Sequence, residues 1–207
     1  MLFRSGLGIE NIPKRFLHKS SQKSTLELLC FSRIALKKRL DLCIIATRKL
    51  LDLGIDVKLT IAGTGDFQLM SQLINLIDNL KIKHSVEFLG FIDGDQKHLC
   101  FQKSDIFLLP SENENFAVAV AEAISYQVPV VVSKNVAMKD FVLAQGVGEV
   151  IDDLEVSELV SKILKIKESY LRYWDNCRKS KNLLSWDEVL KIWERELKVR
   201  SSDFEED

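Results

Sequence analysis

The chain of 207 residues is 46% hydrophobic and 29% charged, enough apolar material for one well-formed core in one domain of ordinary size. Lys and Arg total 29 against 30 for Asp and Glu, and the resulting net charge of -1 argues against binding nucleic acid by bulk electrostatics, leaving only a local basic patch. Nine glycines and three prolines exclude collagen-like repeats and low-complexity disorder, and suit helices joined by short connections better than a turn-rich β-sandwich.

Residues 1–24, with Gly6-Leu7-Gly8 and a basic run from Lys14 to Lys23, read as a lead-in segment left from a missing N-terminal domain. Within it, Leu2-Phe3-Arg4-Ser5 is the translation of CTCTTCCGATCT, the end of a common sequencing adapter. Either residues 1–5 are non-native and the reading frame continued upstream, or this is an ordinary start.

From Thr25 onward, short apolar or β-branched runs alternate with longer amphipathic segments, the rhythm of an α/β domain with a parallel sheet. Strands are predicted over Leu26-Phe31, Val57-Ala62, Val86-Leu89, Ile106-Leu109, Val130-Ser133 and Glu149-Ile151. Helices are predicted over Lys37 to Leu53, Phe67 to Leu80, Gln96 to Gln102, Phe116 to Tyr126 and Met138 to Ala144. In the second of these, Phe67, Met70, Ile74, Ile77 and Leu80 form the expected apolar face. The expected fold is a doubly wound, mostly parallel, Rossmann-like sheet over residues 25–199. Its C-terminal part is helical only, through Val156-Lys165, Tyr170-Lys181 and Asp187-Val199, before an acidic tail at 200–207.

Cys30, Cys43, Cys100 and Cys177 form no C-x-x-C pair, and His18, His84 and His98 complete no metal-ligand pattern, so a reducing compartment without structural zinc is expected. The histidines read as surface or loop residues without a role in proton transfer. Cys43 and Cys100 read as small core hydrophobes, and Trp174, Trp186 and Trp193 as helix-packing residues. No apolar run reaches the ~18 residues of a membrane span and no signal-peptide core precedes the domain, so a cytoplasmic protein is expected.

In open parallel sheets ligands sit beyond the carboxyl ends of the strands, which directs attention to the loops there. After the first strand, Arg33 and Lys38 flank a strand-to-helix connection; two cations at a helix N-terminus oppose the helix dipole unless an anion compensates them, and a solvated basic turn is the alternative. After the second strand, Gly63-Thr64-Gly65-Asp66 lacks the third glycine of a dinucleotide fingerprint and reads as a tight turn with Asp66 capping the next helix. After the fourth, Glu114 lies in a loop and Glu122 two turns inside a helix predicted to begin near Phe116. Helix amides near Ala117 and Val118 suit a diphosphate, and an acceptor-only carboxylate such as Glu122 can hold vicinal sugar hydroxyls. Burying Glu122 unpaired in the apolar run Phe116 to Ile124 would cost several kcal/mol.

Together these residues resemble the nucleotide-sugar-dependent glycosyltransferases of group 1, or family 4, which are retaining enzymes of the two-domain GT-B fold whose C-terminal domain binds the donor. Glu114 and Glu122 match the family's E-x7-E pair, and Arg33 with Lys38 its R-x4-K phosphate clamp. Pro110-Ser111 and Pro129-Val130-Val131 match the flanking strand ends, Phe88-Leu89-Gly90-Phe91 the segment that receives the nucleobase, and Ser185-Trp186-Asp187 the start of the last helix. Ser32, Arg39, Ala117 and Gln127 stand where the family usually has glycine, a departure that bears on donor affinity more than on fold.

The resemblance implies a donor-binding domain in which Arg33 and Lys38 neutralise the leaving diphosphate and Glu114 contacts the sugar near its reacting carbon. Glu122 would hold the ribose, with Phe91, Phe116, Ala117 and Val118 completing the donor site and no cofactor or protein metal. It also implies a saccharide or lipid-linked acceptor reached through a missing N-terminal domain, at the inner face of the membrane in the intact enzyme. The alternatives are a degenerate non-catalytic binding module of the same fold, and a two-domain sugar-nucleotide epimerase, which the Glu114 to Glu122 arrangement fits less well.

Overall fold

The computed structural model describes residues 25–115 and 117–184. Strands β1 (Leu26–Phe31), β2 (Val57–Ala62), β3 (Val86–Gly90), β4 (Ile106–Leu109), β5 (Val130–Ser133) and β6 (Gly148–Ile151) form one sheet in the order β3-β2-β1-β4-β5-β6. Every neighbouring pair is parallel. The helices are α1 (Leu40–Asp52), α2 (Phe67–Asn79), α3 (Gly94–Lys103), α4 (Val118–Ser125), α5 (Lys139–Gln145), α6 (Val156–Glu168) and α7 (Tyr170–Ser180). The helix expected over Asp187-Val199, with Trp186 and Trp193, lies outside the described residues, as do the lead-in segment and the tail.

Strands β4 and β5 are buried at every position because both sheet faces are covered there, while Glu27 in β1 and Lys58 in β2 interrupt otherwise apolar runs and the edge strand β3 is partly exposed throughout. Leu28, Cys30, Leu59, Ile61, Ile106 and Leu108 pack with α1, α2 and α6 on one face. Leu29, Phe107, Leu109, Val130 and Val132 pack with α3, α4 and α5 on the other. The sheet grows outward from its centre in two directions, β1 to β3 and β4 to β6, and the reversal between β1 and β4 leaves a crevice at their carboxyl ends.

Three expectations need correction. The helix expected from Lys37 is split: a 3-10 turn over Leu36–Lys38 ends at Arg39 in the left-handed region (φ 50°), and α1 begins only at Leu40. In α2 the buried residues are Leu73 and Ile77, with Leu69, Met70, Leu76 and Leu80 packed beside them, whereas Phe67 and Ile74 face solvent. Finally α4 starts at Val118, so Glu122 sits one turn inside it rather than two.

Of the four positions at which the sequence departs from the family's glycines, Arg39 (φ 50°), Ala117 (φ 29°) and Gln127 (φ 59°) all adopt positive φ, and Ser32 does not. The chain keeps the backbone path while giving up the residue that adopts it without strain. Gln127, just past the end of α4, is also buried with its Oε1 lacking a hydrogen-bond partner. Relief of both strain and desolvation should outweigh the added freedom of the unfolded chain, so Gln127→Gly is expected to raise stability by about 1 kcal/mol. A denaturant titration checks it, and a lower midpoint would show that the amide packing matters more.

Candidate functional site

The crevice is assembled by stitching the loop after β1 to the loops after β2 and β4. Ile34 pairs with Gly65 in an isolated bridge, its N–H donating to the Thr64 carbonyl at 2.9 Å, and the Ser32 N–H donates to Ala62 at 3.0 Å. The backbones run so close that a Cβ on Gly63 would stand 2.0 Å from the Ser32 carbonyl oxygen, and one on Gly65 1.9 Å from that of Ile34. These glycines therefore serve loop-to-loop packing, and Asp66 caps α2 by accepting from the Leu69 N–H at 2.7 Å. The expected cap is present, but the segment is an extended continuation of β2 bridged in parallel to Ile34 rather than a tight turn.

On the other side, the Lys37 carbonyl accepts from the Glu112 N–H at 2.8 Å and from Ser111 Oγ at 2.9 Å, using both lone pairs. The loop after β4 is pinned in turn to the loop after β5: Glu114 N–H donates to Asn135 at 3.3 Å, and the Glu114 carbonyl accepts from Ala137 N–H at 3.0 Å. With both backbones fixed, the buried Lys38 ammonium meets Glu114 in an ion pair across 76 residues of sequence.

One turn into α4, Glu122 Oε1 accepts from Lys97 Nζ at 2.8 Å. The Glu122 side chain is only 17% exposed and Lys97 31%, so the carboxylate in the apolar helix is paired, which lifts the cost of burying it alone. Lys97 comes from α3, an element to which the sequence assigned no functional side chain. At the head of α4, Ala117 provides no side-chain cap; its carbonyl accepts from the Val120 N–H at 2.8 Å, and the N-cap side chain offers nothing to the Val118 and Ala119 amides ahead of it. Such a terminus favours an anion.

These groups converge on one cleft of about 410 Å³, lined by Arg33, Lys37, Lys38, Lys97, Glu114 and Glu122 around Phe31, Ala117, Val118 and Ala119. Four cations face two carboxylates, an excess of positive charge suited to an anionic ligand. Arg33 is exposed and makes no ion pair among the described residues. The predicted Phe91 is not part of this lining; it stands 72% exposed just beyond the carboxyl end of β3. Phe116 lies outside the described residues.

The profile of the family described as Glycosyl transferases group 1 matches residues 13–181. The chain belongs to the group 1 glycosyltransferases. Among relatives, it is 28% identical over 194 residues to an uncharacterized glycosyltransferase of Methanocaldococcus jannaschii, covering 86% of this chain and 46% of that one. It is 27% identical over 157 residues to the putative colanic acid biosynthesis glycosyltransferase WcaL of Salmonella typhimurium, covering 72% and 38%. The chain thus spans about half, or less, of the length of these relatives. Among solved structures, the Anabaena protein HepE in complex with UDP and glucose superposes with a TM-score of 0.69 at 22% identity, over 86% of this chain and 49% of that one. The fold is that of the C-terminal half of GT-B glycosyltransferases.

Several other side chains of this glycosyltransferase domain are structural. His98 is half-buried on α3 rather than in a loop, with Nδ1 3.0 Å from the Tyr126 hydroxyl and Nε2 2.9 Å from Gln102, so it has a hydroxyl partner that sequence spacing could not show. Burial raises the Tyr126 phenol above its usual pKa, with the Lys97 and Glu122 charges as smaller influences. Cys30, Cys43, Cys100 and Cys177 are buried free thiols. Contact with Cys30 and burial push Cys43 well up, and burial pushes Cys100 up to about 11, so neither is a ready thiolate. Among the described residues no helix is long and apolar enough to cross a membrane.

Proposed function

We propose that the cleft is the donor site of a retaining glycosyltransferase that uses a nucleotide-sugar. The observation that carries this reading is the convergence of Arg33, Lys38, Glu114, Glu122 and the start of α4, which has no side-chain cap, on one cleft at the sheet's reversal point. In this reading Arg33, Lys38 and the α4 amides receive the diphosphate, Glu114 lies by the reacting carbon of the sugar, and Glu122 holds the ribose.

As the bond between that carbon and the diphosphate oxygen breaks, the electron pair leaves on the phosphate. The cations and the helix amides stabilise the growing charge without having to reorganise. The acceptor hydroxyl then bonds to the sugar carbon on the face from which the diphosphate departed, and its proton passes to the departing phosphate oxygen. The left-handed conformations kept at Arg39, Ala117 and Gln127 favour a retained pocket over a degenerate one, because the backbone path that glycine would serve is still in place.

The described residues build one side of the cleft, and an acceptor must be oriented from the other, which can supply several kcal/mol of barrier lowering. We therefore expect these 207 residues alone to bind a nucleotide-sugar and to transfer no sugar, and a second domain of similar size joined in cis to confer transfer. Nucleotide release coupled to glycoside formation is the measurement. Efficient turnover by the 207 residues would overturn the half-enzyme reading, and absence of binding to any nucleoside diphosphate would overturn the donor site.

A further inference from the structure

Lys97 is built into the cleft more firmly than a surface lysine needs to be. Its neighbour His98 bonds the Tyr126 hydroxyl at 3.0 Å, Tyr126 lies one turn beyond Glu122 on the same helix end, and the Tyr126 ring stacks on Phe101 of α3 with centroids 5.0 Å apart and planes 9° from parallel. These contacts already join α3 to α4, so the Lys97–Glu122 ion pair is not required to hold the helices together. A half-buried ion pair kept beside a sufficient apolar and hydrogen-bonded joint calls for another purpose.

The pair also places opposite hydrogen-bonding characters together. Lys97 Nζ donates to Glu122 Oε1, and the ammonium, with three N–H donors, has Glu122 as its one partner among the described residues, so donor capacity on the lysine and acceptor capacity on the carboxylate both remain. The cleft thus presents one anionic acceptor and one cationic donor side by side, a match for two adjacent hydroxyls of which one donates and the other accepts.

Resting on the donor-site reading above, we propose that Lys97 is a second ribose-binding residue: one ribose hydroxyl donates to the Glu122 carboxylate while its neighbour accepts from Lys97 Nζ. Lys97 then determines specificity for ribonucleotide over deoxyribonucleotide donors, and it does not act on the phosphates.

The test titrates the intact chain by calorimetry with whichever of uridine, guanosine and adenosine diphosphate binds most tightly, with its 2′-deoxy and 3′-deoxy analogues, and with inorganic pyrophosphate. Lys97→Met is expected to weaken the ribonucleotide by about tenfold and pyrophosphate not at all. Removing one of the two hydroxyls should cost the unmodified protein about tenfold and cost Lys97→Met nothing further. Lys97→Gln, which keeps an N–H donor, should retain most of that discrimination, and a thermal melt of each variant checks that the fold is intact. Unchanged ribonucleotide affinity in Lys97→Met, or an equal loss with pyrophosphate, would overturn the assignment while leaving the donor site standing. Failure of the unmodified protein to bind any nucleoside diphosphate would instead remove the donor site itself.

Discussion

A nucleoside diphosphate is expected to bind this chain about tenfold or more tightly than the matching monophosphate, and Arg33→Ala to remove most of that gap, since a hydrogen bond to a charged group contributes about 1.5–3 kcal/mol. Arg33 is the cation to test because it lines the cleft yet is committed to no ion pair among the described residues. Its guanidinium can take two oxygens of the terminal phosphate, and its exposure means that the gap should narrow as salt is added.

Lys38 should behave differently. Buried against Glu114, it cannot be removed without stranding a carboxylate whose side chain is 19% exposed. Lys38→Met should therefore lower affinity and also lower the melting temperature, with a cost below the about 3–5 kcal/mol of a fully buried pair. Calorimetry beside a thermal melt separates the two cations. Equal affinity for the mono- and diphosphate in the unmodified protein would remove the phosphate-clamp role from both.

The largest expected loss of stability lies far from the cleft. Glu149 on β6, 8% exposed, accepts from the buried Tyr173 hydroxyl of α7 and from Lys165 of α6 at 2.9 Å, with Lys162 3.6 Å away. Glu149→Ala leaves the Tyr173 hydroxyl without its acceptor and releases the lysines, which can still reach water. A cost of about 2–3 kcal/mol is expected, mostly from the buried phenol. Glu149→Gln keeps an acceptor and should cost less.

Burial alone would raise the Glu149 pKa, but the Tyr173 hydrogen bond and the Lys165 and Lys162 charges outweigh it and hold the carboxyl below its usual value of 4.5. A carboxylate whose folded pKa is depressed adds stability that is fully present above its unfolded pKa and is lost as pH falls through the folded one. The unmodified protein should therefore lose stability from about pH 4.5 downward more steeply than Glu149→Gln. Parallel slopes for the two proteins in acid would show that the carboxylate contributes no linkage.

Much of this was legible in advance, for reasons that differ by element. Strands β1, β2, β4 and β5 begin and end where expected, because each is a short run rich in apolar or β-branched residues bounded by polar and turn residues, and Glu27 and Lys58 interrupt the first two without ending them. Arg33, Lys38 and Glu122 were visible as charges placed against their local expectation, two cations before a helix and a carboxylate within an apolar one, whereas Glu114, in a loop ahead of a helix, stood out only through the E-x7-E resemblance. Lys97 was not visible. A lysine on a helix with ordinary flanks carries no local anomaly, and only its approach to Glu122, 25 residues on, gives it meaning.

The sequence by itself determined the alternation of strands and helices, the parallel sheet and the charged residues available at its carboxyl edge, because periodicity, capping and turn chemistry act within a few residues of chain. Tertiary structure alone decided which charges meet. The Lys38–Glu114 contact depends on β4 lying beside β1 and on the Lys37 carbonyl fastening two loops together. Lys97 against Glu122 depends on α3 and α4 sharing one face of the sheet. The left-handed turns at Arg39, Ala117 and Gln127 arise the same way: their side chains have no preference for positive φ, and the strain is borne because the packing on either side leaves the backbone no other path.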